Sequence, residues 1–504
     1  MKPSLPNLLK RCREILLAAA CAVAAGCLTP DPAPLPDRTP LLPESFPGTA
    51  EMRQKEIPGW RDFFRDAALD ELISTALTNN QEIQILLQEV AASRAEVGAR
   101  KGALFPFVTL GGGAGAEKAS RNTVQGAVEN DVEIQPGTPN PEFLPNYAAA
   151  AEFEWEVDIW RRLRNERDAA VQRYLATREG RSFAVTHLVS ELAASYYELV
   201  SLDALLGIVE RMLEIQEQAL ESIRQKKAAG RVTELAVRRF EAEVLKNRGR
   251  LFQLRQRIVE TENRINGLAG RYPQPVRRSS GGLDPAVLAP LQAGIPSDLL
   301  RNRPDVRKAE LELIAAGLDV KAAGARFYPA LSVSALVGLE SFTFGSPIFA
   351  KENMVYGAAA NLVGPLINRS AIRAAFQGAS ANQVAAVYRY QQSVLKAYVE
   401  VVNELSRIRN VEQEYELKLG QAEALTDSVT LSSSLFSAAR ADYTEVLLTQ
   451  REALEARMEL VELQWARLTA GINAYRALGG GAVETRAGRP AAPVVANTAS
   501  TAPR

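Results

Sequence analysis

Glu152-Phe153-Glu154-Trp155-Glu156-Val157-Asp158-Ile159 alternates acids with large apolar residues without exception. Successive side chains of a strand point to opposite faces, so this stretch has one wholly anionic face and one wholly apolar face. A soluble sheet with a solvated outer face also alternates. Four acids in a row on one face, however, set like charges against one another across strands. A membrane barrel wall, with lipid outside and a water-filled lumen inside, produces the same alternation by necessity. The barrel wall is the preferred reading, and it assigns Glu152, Glu154, Glu156 and Asp158 to the lumen.

Just beyond, the pattern changes period. Residues 146–272 contain no proline, and neither do 366–489, although the chain has 27. Each tract is roughly 125 residues, far beyond the 10–14 residues of ordinary helices, and a helix from 161 to about 226 would be on the order of 100 Å long. Val185, Leu192, Leu199, Leu206, Leu213 and Leu220 recur every seven residues, with Leu188, Leu202, Val209 and Ile223 at the complementary positions. This is a coiled-coil seam. Val189 and Tyr196 lie beside it and imply a second contact face. The chain reverses near Gly230-Arg231, and a return helix runs from Thr233 to about 268.

Upstream, a helical pattern over about 66–101 ends at Gly102, and Leu104-Phe105-Pro106-Phe107-Val108-Thr109-Leu110 reads as a strand. The glycine- and asparagine-rich stretch from Gly111 to about 146 reads as a long loop between two strands. Downstream the order repeats after the proline- and glycine-rich 271–296. A helix starts at Pro304, Ala325-Arg326-Phe327-Tyr328-Pro329 parallels Ala103-Leu104-Phe105-Pro106, and strands follow over about 331–339 and 354–362. A second long helix over about 370–435 carries Val394, Val401, Ile408, Tyr415, Ala422 and Val429 at spacings of seven. The chain turns near Ala439-Arg440 into a final helix with Leu447, Leu454, Val461, Leu468 and Tyr475. Thr233-Glu234-Leu235 parallels Thr444-Glu445-Val446 in the two return helices. Each half therefore reads helix, strand, strand, long helix, turn, helix. The fold class is mainly α with a small β part and internal duplication.

The N-terminus carries Lys2, Lys10, Arg11 and Arg13, followed by an apolar run from 15 to 25 that is too short to span a bilayer. Ala24-Ala25-Gly26-Cys27 resembles a bacterial lipoprotein processing site, with Cys27 as the acylated residue. Ordinary cleavage, with Cys27 as an incidental small residue, is the alternative. All three cysteines lie at or before Cys27, so the rest of the chain has no disulfide and no cysteine metal site. Formal net charge is zero, which argues against nucleic acid as a partner. The single histidine, His187, lies on the long helix and reads as a polar face residue. The glycine run has no phosphate-loop lysine, and Glu154 and Glu156 lack a second catalytic element, so the reading is of a non-enzyme without a cofactor.

Four words in this order resemble the outer-membrane efflux protein family of TolC-like channels, and within it the lipidated OprM/NodT-type subgroup. They are Trp155-Glu156-Val157-Asp158-Ile159-Trp160, Leu300-Arg301-Asn302-Arg303-Pro304-Asp305-Val306, Asp442-Tyr443-Thr444-Glu445-Val446-Leu447 and Tyr475-Arg476-Ala477-Leu478-Gly479-Gly480-Gly481. The resemblance implies a TolC-like α/β-barrel: a homotrimer in which four strands per chain build one twelve-stranded barrel and the helices build a periplasmic tunnel. It also implies a passive exit duct in the outer membrane of a Gram-negative bacterium, anchored in outer-membrane lipid at Cys27. Partners would be a periplasmic adaptor protein and an inner-membrane RND transporter. The implied division is a lipoprotein signal (1–26), an extended arm (27–59), a first repeat (60–270), an inter-repeat linker (271–296), a second repeat (297–481) and a disordered tail (482–504). By the same resemblance the two turns meet the adaptor and gate the tunnel, at Gly230, Arg231, Val232 and Thr233 and at Ala439, Arg440, Asp442 and Tyr443. Near a three-fold axis Asp442 would form a carboxylate ring, with Arg440 pairing between chains. The chain has Leu435-Phe436 and Ala439 where the family usually has Arg-Tyr and a turn glycine. Rival readings are a duct for protein secretion with an ABC exporter and a periplasmic coiled-coil lipoprotein without a pore. Four strands alone cannot close a membrane barrel, and an open edge is not tolerated in lipid, so a barrel reading requires an oligomer.

Overall fold

The computed structural model describes residues 30–37, 42–47, 57–139, 143–279, 282–291, 294–342, 349–365, 369–438 and 440–480. Cys27, Ala439 and the tail from 482 lie outside the described residues. In chain order the elements are α1 (Trp60–Phe63), α2 (Ala67–Asn79), α3 (Gln81–Gly102), β1 (Phe107–Glu117), α4 (Val124–Asp131), β2 (Glu133–Gln135), β3 (Thr138–Pro139) and β4 (Leu144–Val157). They continue with α5 (Arg162–Ala228), α6 (Glu234–Leu268), α7 (Leu299–Asn302), α8 (Pro304–Ala325), β5 (Ala330–Ser341), β6 (Met354–Val363), α9 (Ser370–Ser437) and α10 (Tyr443–Ala477). The duplication is legible in the lengths. α3 and α8 each have 22 residues, α5 and α9 have 67 and 68, and α6 and α10 each have 35.

The chain divides into two compact units, each drawing on both halves. The first comprises residues 30–37, Ala91–Leu175 and Leu311–Tyr388. It is built on an antiparallel sheet of order β1-β4-β5-β6, so among the described residues β1 and β6 are edges without a partner strand. The second comprises the described residues of Arg38–Val90, Ala176–Glu310 and Arg389–Arg504 and holds both helical hairpins. Along α5, Leu192, Leu199, Leu202 and Val209 are fully buried, and so are Val189 and Tyr196 of the second contact face. Ile408, placed in the α9 seam by spacing, is exposed.

Two words of the sequence acquire a structural cause in this second unit. The Arg303 guanidinium is buried between Asp305 (2.7 Å) and Glu400 (2.8 Å) and donates to the Ala477 carbonyl (2.8 Å), tying the start of α8 to α9 and to the end of α10. Removing either acid leaves the buried guanidinium one partner short, at a cost of about 1–3 kcal/mol. Tyr475 stacks on Phe63 at 4.1 Å and donates to the Pro58 carbonyl at 2.9 Å.

Three sequence readings of these elements need correction. The helix read over 66–101 is two helices. Asn80 ends α2 in extended backbone and starts α3, with its side chain accepting from Ile83 N (3.0 Å) and donating to the Leu268 carbonyl (2.9 Å). The glycine run Gly111–Gly113 is strand, paired with Ala150, Ala149 and Ala148. The stretch between β1 and β4 is not a plain loop either, since it holds α4 and the β2–β3 ribbon.

Candidate functional site

Residues directly opposite in an antiparallel ladder share a face. Register therefore extends the alternation of β4 across the whole sheet. Phe153, Trp155 and Val157 face Ala335, Val333 and Leu331, which in turn face Ala358, Ala360 and Leu362. Val108 and Leu110 join this face from β1, and Met354 and Tyr356 from β6. Much of it is bare, with Leu110 at 86% and Tyr356 at 82% exposure. The other face carries Glu152, Glu154 and Glu156 opposite Leu336, Ser334 and Ser332, with Glu340 farther along bonded to Asn146 (2.8 Å). A continuous apolar face on a sheet with two open edges is unstable in water and suited to lipid, where those edges must be closed by further strands.

Asp158 does not extend the acid row. It lies past the end of β4, is 8% exposed, and caps α5 by accepting from Leu163 N (3.1 Å) and Arg164 N (2.9 Å). Its place in the alternation hid a helix-capping role. Glu156 is half-buried and gripped by Arg162 (2.6 Å), which also reaches Glu166 (3.2 Å). From there a charged network spreads at the foot of the sheet. Arg100 and Arg326 both approach Glu166 (3.4 and 3.3 Å), Arg100 also holds Glu96 (2.7 Å), and Arg173 holds Asp319. These groups surround a cavity of about 470 Å³. Burial holds the Asp319 carboxyl above the ordinary carboxylate range, against the pull of Arg173. Sequence reasoning missed this cluster. Only Glu96–Arg100 and Arg162–Glu166, spaced by four on their helices, were visible in advance.

In the second unit the two hairpin turns lie side by side. Lys226 sits 4.0 Å over the Phe436 ring, and Val232, Phe436, Tyr443 and Leu447 pack on a core formed by Leu220, Ile223, Ala236, Val237, Phe240 and Val244. Gly230 adopts φ 71°, where a side chain would be strained, and Arg231 N closes the turn on the Lys226 carbonyl (2.9 Å). At the second turn Arg440 N bonds the Leu435 carbonyl (2.8 Å) in the same i to i+5 manner. Gly230, Arg231, Thr233, Arg440 and Asp442 are exposed, and Val232 and Tyr443 are half-buried. Asp442 starts α10 without a side-chain capping bond and accepts instead from the Thr444 hydroxyl (2.8 Å).

An amphipathic sheet whose strands lead directly into long paired helices, repeated twice, defines the subunit of a TolC-like outer-membrane channel. The family model described as outer membrane efflux protein matches residues 72–271 and 295–480, and the chain belongs to that family. It is 26% identical over 471 residues to the toluene efflux pump outer membrane protein TtgC of Pseudomonas putida, covering 92% of this chain and 95% of that one. With the probable outer membrane lipoprotein SilC of Salmonella typhimurium it shares 25% identity over 480 residues, 94% of this chain and 99% of the other. The fold matches the open state of the Neisseria gonorrhoeae MtrE outer membrane channel with a TM-score of 0.78 at 21% identity, over 90% of this chain and 99% of that one.

Proposed function

We propose that this chain is the outer-membrane exit duct of a tripartite efflux system, passing small toxic compounds from the periplasm to the outside without catalysis of its own. The observation that carries the reading is the amphipathic sheet with two open edges: three copies joined β6 to β1 make a closed twelve-stranded barrel with Glu152, Glu154 and Glu156 inside. In this reading Cys27 carries the lipid anchor. The residues at the two turns, Gly230 to Thr233 and Arg440 to Tyr443, meet a periplasmic adaptor protein, which links the duct to an inner-membrane RND transporter. The repeats follow the boundaries 60–270 and 297–481.

Reconstitution of the purified full-length protein in planar bilayers tests the duct. The expected result is an SDS-resistant trimer with discrete conductance steps; a monomer without conductance overturns it. Mass spectrometry of the processed N-terminus tests Cys27, with diacylglyceryl and amide-linked acyl chains expected.

A further inference from the structure

At the junction of sheet and helices in the first unit, an open groove of about 730 Å³ lies between the start of α5 and the end of α8. Arg161 and Lys321 line it, and neither side chain has an ion-pair or hydrogen-bond partner among the described residues. Asp168, the acid in the groove, is already held by Arg167 (2.6 Å). Arg161 has φ 60° and is the one non-glycine residue with positive φ among those described. Glycine takes that conformation freely, whereas another L-residue loses about 1–2 kcal/mol in it. A guanidinium thus stands, unpaired, where backbone geometry favours having no side chain at all. Strain of this kind persists where the side chain has a task.

The groove's position says which task. Trp160 and Tyr328 stack at 4.7 Å on its wall, and the indole N–H is fixed on the Pro329 carbonyl (2.7 Å). Trp160 follows β4 and Tyr328 precedes β5, so the pair stands where the apolar sheet face ends. Such rings settle at the membrane–water boundary, and neighbouring Arg and Lys extend toward headgroups. At 100° per residue, Asn165 and Asp168, which line the groove, point about 140° away from Glu166, Ala170 and Arg173 around α5. The latter three belong to the side that Arg162 links to the acid row. The groove therefore belongs to the side of the apolar face.

We infer that this groove binds the phosphate of an anionic glycerophospholipid in the inner leaflet of the outer membrane, with Arg161 gripping two phosphate oxygens and Lys321 supplying the second charge. The inference rests on the apolar face meeting lipid, as the duct reading holds. Native mass spectrometry of the full-length trimer with added phosphatidylglycerol tests it, comparing wild type with R161G/K321Q. R161G relieves backbone strain, so loss of binding would not reflect unfolding. Retention of phosphatidylglycerol is expected to fall roughly tenfold or more in the variant, at about 1 kcal/mol per basic residue at an anionic surface. Excess inorganic phosphate should leave wild-type retention unchanged. Equal retention by the two proteins overturns the site, and so does full displacement by inorganic phosphate. The variant's bilayer conductance separates the two readings: conducting trimers with undiminished lipid sink the groove alone, whereas absence of channels in wild type sinks the duct.

Discussion

The two hairpins differ in length by one residue and turn in register, yet they are held together by different chemistry. Counting from the ends of α5 and α9 and the starts of α6 and α10, Ile223 and Phe240 in the first hairpin stand where Ser432 and Thr449 stand in the second. Ile223 and Phe240 are buried in an apolar cluster, whereas Ser432 and Thr449 share a hydrogen bond of 2.9 Å. At the turn itself Lys227 pairs with Glu234 in the first hairpin, and the matching positions in the second are Phe436 and Tyr443. Arg224–Glu241 (3.9 Å) and Arg248–Glu217 (2.6 Å) continue the charge pairing up the first hairpin. In the second, Lys418–Glu459 and Arg467–Glu412 (2.7 Å) lie well away from the turn. The swap is not uniform, because the buried Gln216–Asn247 pair of the first hairpin meets Leu425 and Ala456 in the second. Near the turns, though, the first hairpin is closed within itself by apolar packing and charge, whereas the second joins Ser432 to Thr449 through hydroxyls and lays Phe436, Tyr443 and Leu447 on the first hairpin's core. The duplication has kept the backbone and changed the chemistry that closes it.

The largest effect expected from this difference is at Phe240. F240A should cost about 3–5 kcal/mol, seen as lost amide-exchange protection over 220–244. T449A, at the matching position, should cost about 1 kcal/mol. Equal losses would erase the distinction. The converse experiment transfers the apolar pair. S432I/T449F should stabilise the second hairpin by about 1–2 kcal/mol once overpacking is set against burial. If opening of the duct depends on a loosely closed second turn, conductance of this variant should fall while that of T449A does not. Unchanged conductance in both would place opening elsewhere.

Next in size are the caps. Thr233 accepts from Ala236 N at the start of α6, so T233A should cost about 1 kcal/mol. Asp442 caps nothing with its side chain, so D442A should leave stability nearly unchanged. What D442A should change is block by multivalent cations, which a ring of three carboxylates would favour. Block that persists undiminished in single-channel recordings would reject the ring.

The hairpins were legible in advance because a seven-residue apolar repeat is a long, redundant signal. β4 was legible because its two faces differ in every residue from Glu152 to Val157. β1 was legible only as far as Leu110, since Gly111, Gly112 and Gly113 carry no alternation and only their pairing with β4 makes them strand. The repeat register was misread for a related reason. Matching by word set Thr233 against Thr444, whereas the helix starts set Thr233 against Asp442, as cap against cap. A similar word two residues out of phase is weaker evidence than equal helix length. Asp158 fitted the alternation and so concealed its capping role, and the cluster around Glu166 draws on residues that only the fold brings together.

The smallest effect concerns acid. The hydrogen bond from Lys227, with help from the nearby charges of Lys227 and Arg238, holds the exposed Glu234 carboxyl below the ordinary carboxylate range. A group held down in the folded state contributes stability that is present above its unfolded value and is lost as pH falls through its folded value. The Lys227–Glu234 pair should therefore be intact at neutral pH and should release only below the ordinary carboxylate range. The matching positions in the second hairpin, Phe436 and Tyr443, carry no carboxylate to titrate. Spin labels placed across each turn should report a widening of the first on acidification, with that change absent in E234Q and at the second turn. Widening of both turns together would mean that acid acts through a contact they share, such as Lys226 over Phe436, and that the two closures are less independent than their chemistry implies.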